Sequence, residues 1–222
     1  MKRVDFFYDF SCPYAYLAHT QIEAVCARAG AELRWRPMLL GGVFQAVGTV
    51  QVPFAVMSTA KARHNAFDMM RWADHFGVPL TMPATHPNRT VLALRAMLAA
   101  DESAIPRASK AIFAQYWVHG RDVAQPDVVR EALDSAGLDG RALVARADDP
   151  AIKAALRART DEAIAHGVFG APAFFVTAPG VPGDLYWGQD RLEFVEKALG
   201  GLLRADAFSA LKPLELCVKG SS

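Results

Sequence analysis

Two hydrophobic periods alternate through the first forty residues. Val4-Asp5-Phe6-Phe7-Tyr8 is a short run of β-branched and aromatic residues that predicts a strand, whereas Ala18 to Arg28 contains no Gly or Pro and predicts a helix. Gly30 stops the helical pattern, and Ala31-Glu32-Leu33-Arg34-Trp35-Arg36 then alternates apolar and polar positions up to Pro37, as a second strand should. A β-α-β opening implies a parallel pair joined by a right-handed crossover. The crossover sets the helix N-terminus at the carboxyl end of the first strand, where sites of α/β folds form.

From Met38 to Gly48 the chain is apolar and glycine-rich, and Gly41-Gly42 reads as a break in regular structure. Between about Pro53 and His166 no strand signal recurs. Helical patterns take its place: Ala55 to Phe76, Arg89 to Ala100, Ser103 to His119, Asp127 to Ala136 and Asp149 to Ala165. Gly77, Gly120, Gly137 and Gly167 follow four of these runs as C-cap signals. Strand character returns in Gly170-Ala171-Pro172-Ala173-Phe174-Phe175-Val176-Thr177, which with the turn Pro179 to Gly183 and the run Leu185-Tyr186-Trp187 predicts a hairpin. Gly188-Gln189-Asp190-Arg191 leads into a last helix, Leu192 to Leu203, with Asp190 as N-cap and Glu193 at capping-box spacing. Beyond Arg204 only Phe208, Leu211, Leu214 and Leu216 offer apolar contacts. The predicted class is α/β: a thioredoxin-like sheet, β-α-β then β-β-α, interrupted by a large all-helical insertion. The expected partition is a discontinuous domain of residues 1–45 and 168–222 around an insertion of residues 46–167.

The 222 residues, 52% of them hydrophobic, support a substantial core. Twenty-four basic and 23 acidic side chains, net +1, form no basic block, which argues against nucleic acid as a partner. Asp5 and Asp9 interrupt the apolar run that a signal peptide needs, and no segment approaches the ~18 apolar residues of a membrane span, so a soluble cytoplasmic protein is expected. Cys12, Cys26 and Cys217 are far apart, which speaks against a disulfide framework. The six histidines show no metal-type spacing, so no metal is expected, and Gly41-Gly42 lacks the spacing of a phosphate loop.

Chemistry concentrates at Ser11-Cys12-Pro13-Tyr14, between the first strand and the first helix. Pro13 suits a first helical position and so places Cys12 at the N-cap, where free amides and the helix dipole favour a thiolate. A buried structural cysteine is the plain alternative. Ala15 stands where a second thiol of a Cys-x-x-Cys motif would be, so the motif alone supports no dithiol cycle. Pro172 opens a strand; trans is the commoner isomer, whereas in a thioredoxin-like sheet the equivalent proline is cis and faces the thiol, leaving Ala171 to pair with a peptide-like ligand. Capping alone accounts for Asp190, but Gln189 and Asp190 together suit an α-amino-acid group. Lys61, taken by itself, is an exposed helical lysine.

Five segments in this order resemble the glutathione-dependent 2-hydroxychromene-2-carboxylate isomerases and, less closely, the kappa-class glutathione transferases, over residues 1 to 204. They are Tyr8 to Tyr14, Arg36 to Phe44, Lys61 through Ala73, Gly167 to Pro172, and Trp187 to Arg191. The resemblance implies glutathione as cofactor, with its cysteinyl part against Ala171-Pro172, its γ-glutamyl group at Gln189 and Asp190, and contacts from Lys61. It implies cis-trans isomerisation of an aromatic substrate in aromatic-compound catabolism, such as naphthalene degradation, by a homodimer. Phe44, Phe67 and Trp72 are the aromatic residues expected to line the pocket, with Arg63 or Arg71 toward a substrate carboxylate. This chain has Cys12 where the family usually has serine, and Thr49 where relatives tend to carry Asn. The alternatives are a kappa-like transferase or monothiol oxidoreductase using Cys12, and a non-catalytic glutathione-binding sensor.

Overall fold

The apolar run near the N-terminus becomes β1 (Arg3–Tyr8), an inner strand of a four-stranded sheet, in a computed structural model that describes residues 1–201. β2 (Glu32–Pro37) pairs parallel with β1 across the crossover helix α1 (Pro13–Ala29), and β3 (Ala173–Ala178) pairs antiparallel on its other side. β4 (Val181–Trp187) closes the hairpin, giving the order β2-β1-β3-β4. The helical segment leaves after β2 and returns into β3, as the order of periods predicted. It comprises α2 (Leu40–Val47), α3 (Thr59–Phe76), α4 (Val91–Leu98), α5 (Ile105–Trp117), α6 (Pro126–Ser135), α7 (Gly140–Arg146) and α8 (Pro150–Ala165). Helix α9 (Leu192–Leu199) ends the described part. It stops at Leu199, short of the expected Leu203, and the expected contacts of Phe208, Leu211, Leu214 and Leu216, with Cys217, lie outside the described residues.

Both faces of β1 are covered: one carries Val4, Phe6 and Tyr8, and on the other Phe7 follows buried Asp5, which pairs with Arg3 and Arg36. Phe6 stacks across the sheet on Phe174 (5.3 Å between ring centroids) and meets Trp35 edge-on at 5.5 Å, which matches the register pairing of these three residues. On the same face Tyr8 packs on Phe113 of α5, and Phe10 meets Phe113 at 5.0 Å. The opposite face carries Phe7 and Phe175 against His166 just past α8, at 5.6 and 4.6 Å. One hydrophobic cluster therefore runs from the sheet through α1, α4, α5, α6 and α8.

Several elements differ from the sequence reading: the run Ala55 to Phe76 divides into a 3₁₀ turn, Pro53–Val56, and α3, and the expected turn Pro179 to Gly183 is largely taken up by β4. Gly41-Gly42 does not break the chain but lies within α2, where a Cβ at Gly42 would stand 3.0 Å from Cγ2 of Thr160. The glycines let α2 approach α8 closely, a packing need that resembles a breaker in sequence. Helix α7 begins at Gly140, where a Cβ would collide with the Arg130 carbonyl of α6. The sequence reading has no helix there.

His19 of α1 is buried between Trp35 and Phe113, stacked on Phe113 at 4.6 Å, with Nδ1 against the Tyr16 carbonyl. Burial pulls its imidazole down to about 4, against the opposing pull of that carbonyl. A lowered pKa means stability that is present above the ordinary value near 6.5 and is lost as pH falls toward 4. Urea unfolding at pH 7 and pH 4 should show His19→Leu losing about 3 kcal/mol less than wild type over that interval. Equal losses would refute a neutral buried imidazole.

Candidate functional site

Cys12 occupies the N-cap of α1 with Pro13 at the first helical position, as the sequence predicted. β1 delivers the chain to this point and a tight turn, Cys12 N–H to the Asp9 carbonyl at 3.2 Å, redirects it into the helix. The thiol makes no cap bond. Its Sγ instead donates to the carbonyl of Ala171, 3.1 Å away and 159 residues later in sequence. The Ala171-Pro172 bond is cis. The Ala171 N–H has no partner among the described residues.

The same geometry corrects the expected thiolate. Burial pushes the Cys12 thiol up to about 12, while the Ala15 and Tyr14 amides pull it down and the charge of Asp9 pushes it up further. Helix dipole and amides are present as anticipated, but desolvation outweighs them, so Cys12 is a hydrogen-bond donor at neutral pH.

Gln189 and Asp190 are brought beside this pair by a single turn. Gly188, at φ 106°, donates its N–H to the Pro172 carbonyl at 3.0 Å and starts a 3₁₀ turn, Gln189–Arg191. The left-handed backbone favours glycine there, and a Cβ would also strike the Asp190 carboxylate. Gln189 is buried, and its side chain makes no hydrogen bond among the described residues. Asp190 is not the N-cap of α9. Arg191 holds that position and pairs with the Asp190 carboxylate, because the 3₁₀ turn shifts the helix start by one residue. Lys61 lies in the first turn of α3, exposed, its N–H donating to Ser58 Oγ at 3.3 Å; no hydrogen bond or ion pair joins it to the other five expected site residues.

Several neighbours were not singled out by sequence. Tyr14, half-buried, has its hydroxyl pushed up to about 12 by burial and by the charges of Asp68, Cys12 and Asp190. Phe169 and Trp187, both about half exposed, pair at 5.2 Å around Gly170, whose missing Cβ leaves room for the indole. Of the aromatic linings expected, Phe44 and Trp72 are partly buried against the core, and Phe67 is exposed under Arg63 and Arg71 at 5.6 and 6.0 Å. Asp9 is fully buried. Its Oδ1 accepts from Ser11 N, Ser11 Oγ and Thr90 Oγ1, and its Oδ2 from Leu40 N. Burial raises the carboxyl above its ordinary range against the pull of all four donors.

A family model for the DSBA-like thioredoxin domain matches residues 3–200. A 2-hydroxychromene-2-carboxylate isomerase of Sphingobium xenophagum is 30% identical over 198 residues, covering 89% of this chain and 98% of that protein. Glutathione S-transferase kappa 2 of Caenorhabditis elegans is 25% identical, covering 91% and 96%. A solved 2-hydroxychromene-2-carboxylate isomerase superposes with a TM-score of 0.76 at 26% identity, over 94% of this chain and 99% of the other.

Two outcomes test the site. In a Cys26→Ser, Cys217→Ser background, iodoacetamide should label Cys12 at pH 7.5 at least about tenfold more slowly than free cysteine, with the rate still rising above pH 10. Stability that depends on the protonated thiol is present below its ordinary value near 9 and is lost as pH rises toward 12. Labelling with a midpoint near 7 would contradict the buried donor. Asp9→Ala should lower unfolding stability by about 3–5 kcal/mol in urea, because four donors lose a buried acceptor; a loss below 1 kcal/mol would show that the carboxylate holds nothing together.

Proposed function

The chain belongs to the DSBA-like thioredoxin domain family and, within it, to the 2-hydroxychromene-2-carboxylate isomerases, and from that membership we propose a glutathione-dependent cis-trans isomerase. Its reaction would convert 2-hydroxychromene-2-carboxylate, or a related aromatic catabolite, to trans-o-hydroxybenzylidenepyruvate. The observation that carries the reading is the Cys12 thiol held at a helix N-terminus against Ala171-Pro172.

The residues present fit glutathione. The unpartnered Ala171 N–H offers the β-type bond that a cysteinyl backbone would take. The buried Gln189 side chain has no partner to displace among the described residues, and with Asp190 it matches a γ-glutamyl amino-acid group. Lys61 sits on the same side of α3 as Asp68 in helical register and suits a glutathione carboxylate. When bound, glutathione supplies a thiolate nucleophile that makes the conjugated double bond of the substrate rotatable.

Cys12 then acts as a donor. Because burial keeps its proton on, it can turn from the Ala171 carbonyl toward an incoming sulfur and stabilise negative charge there, the part a serine hydroxyl plays more strongly. The α1 N-terminus adds the Ala15 and Tyr14 amides to the same charge. Phe169 and Trp187 offer an apolar lip for an aromatic ring. We take residues 1–45 and 168–222 as the frame that holds the thiol turn, and 46–167 as the insertion that walls the pocket. Exposed Val47, Val50, Val52 and Phe54 support a homodimer, and a cytoplasmic location accords with the free thiols. A monothiol transferase using Cys12 as nucleophile is disfavoured by the same burial.

Isomerisation of 2-hydroxychromene-2-carboxylate should require glutathione. Cys12→Ser should retain or exceed wild-type turnover, and Cys12→Ala should lose about 10- to 100-fold, the worth of a hydrogen bond to a charged group. Gln189→Ala should raise the KM for glutathione about tenfold with little change in kcat. No turnover in wild type or Cys12→Ser would sink the isomerase reading; mixed-disulfide reduction abolished in both Cys12 variants would favour the transferase.

A further inference from the structure

A second concavity, of about 290 Å³, opens on the helical segment and shares no residue with the thiol turn. Arg89, Val91, Leu92, Arg95, Ala124 and Ala147 line it. Asp148 lines it as well, so two arginines and one carboxylate stand among apolar side chains.

Arg95 is incompletely satisfied. Its Nε is buried with no hydrogen-bond partner among the described residues. Its Nη1 lies 3.6 Å from Asp148 Oδ1, beyond hydrogen-bond length, and Asp148, which also lines the pocket, is already engaged by Lys153 Nζ at 2.9 Å. A buried donor without an acceptor is costly, and the part of the Arg95 side chain that stays exposed, about a quarter of it, lines the pocket.

The start of α4 adds to this polarity. Thr90 precedes the helix but gives its hydroxyl to Asp9 and makes no cap bond, and the first helical bond is donated by Leu94. The amides of Val91 and Leu92 therefore stand uncapped at a wall of the same pocket, at the positive end of the helix. Exposed Arg89 completes the cationic rim.

We propose that this pocket is a second ligand site, for a small carboxylate with an apolar body. The carboxylate accepts from Arg95 and Arg89, and the body lies against Val91, Leu92, Ala124 and Ala147. Two oxygens in a plane suit a guanidinium fork, and the apolar walls select against a bare inorganic anion. Asp148 stays with Lys153. Because Thr90 at this helix start is bonded to Asp9 of the thiol turn, the two sites share one fixed element.

Benzoate, with neutral benzamide as its control, probes the site by titration into methyl-labelled full-length protein. The methyls of Val91, Leu92, Ala124 and Ala147 should shift saturably with benzoate and stay in place with benzamide. Arg95→Gln should weaken the benzoate affinity about tenfold or more, with the remaining spectrum unchanged. Should Arg95→Gln fail to fold, Arg89→Gln, at an exposed position, should still weaken it several-fold. Methyls that do not move, that move equally with benzamide, or that titrate identically in whichever arginine variant folds would overturn the proposal.

Discussion

A carboxylate sealed at the end of β1 ties three separate pieces of chain to one turn. Asp9 takes donors from its own loop through Ser11, from the start of α2 through the Leu40 amide, and from the start of α4 through Thr90. A buried acceptor of this kind is stable only while its donors stay in place, so each of these elements is held by the others. Trp117 extends the tie by donating its indole N–H to the Phe10 carbonyl at 2.8 Å. The thiol turn is thus fixed from the helical side as well as from the sheet.

Much of this fold was legible because its punctuation is backbone chemistry. Gly30, Gly77, Gly137 and Gly167 all have positive φ just past helix ends, where a Cβ is disfavoured, and they marked those ends in sequence. Gly42 misled because it serves close approach between helices, a tertiary need with the same local signature. Asp190 misled for a related reason: capping-box spacing assumes an α-helical start, and a 3₁₀ turn takes its place.

The site was legible in position and not in electrostatics. Cys12, Ala171 and Pro172 meet as the order of elements required, and Gln189 joins them through one turn. That Cys12 would be a proton donor was not readable, because burial is set by residues far off in sequence and opposes the helix dipole. Asp9 and Tyr14 were overlooked for the same reason. Their importance lies in partners such as Thr90 and Asp68, which no local pattern announces.

The helical segment departs from β2 and re-enters at β3, and both strands are zipped to the same central neighbour, β1. Its two ends are therefore anchored side by side, like the feet of an arch. Movement that widens the space above Cys12 must come from flexing within the arch, not from swinging it at the base. The arrangement also separates heritable parts: the span can be lengthened, shortened or resurfaced to suit a different guest while the turn beneath stays put. One requirement limits that freedom, since whatever replaces Thr90 has to offer Asp9 a proton.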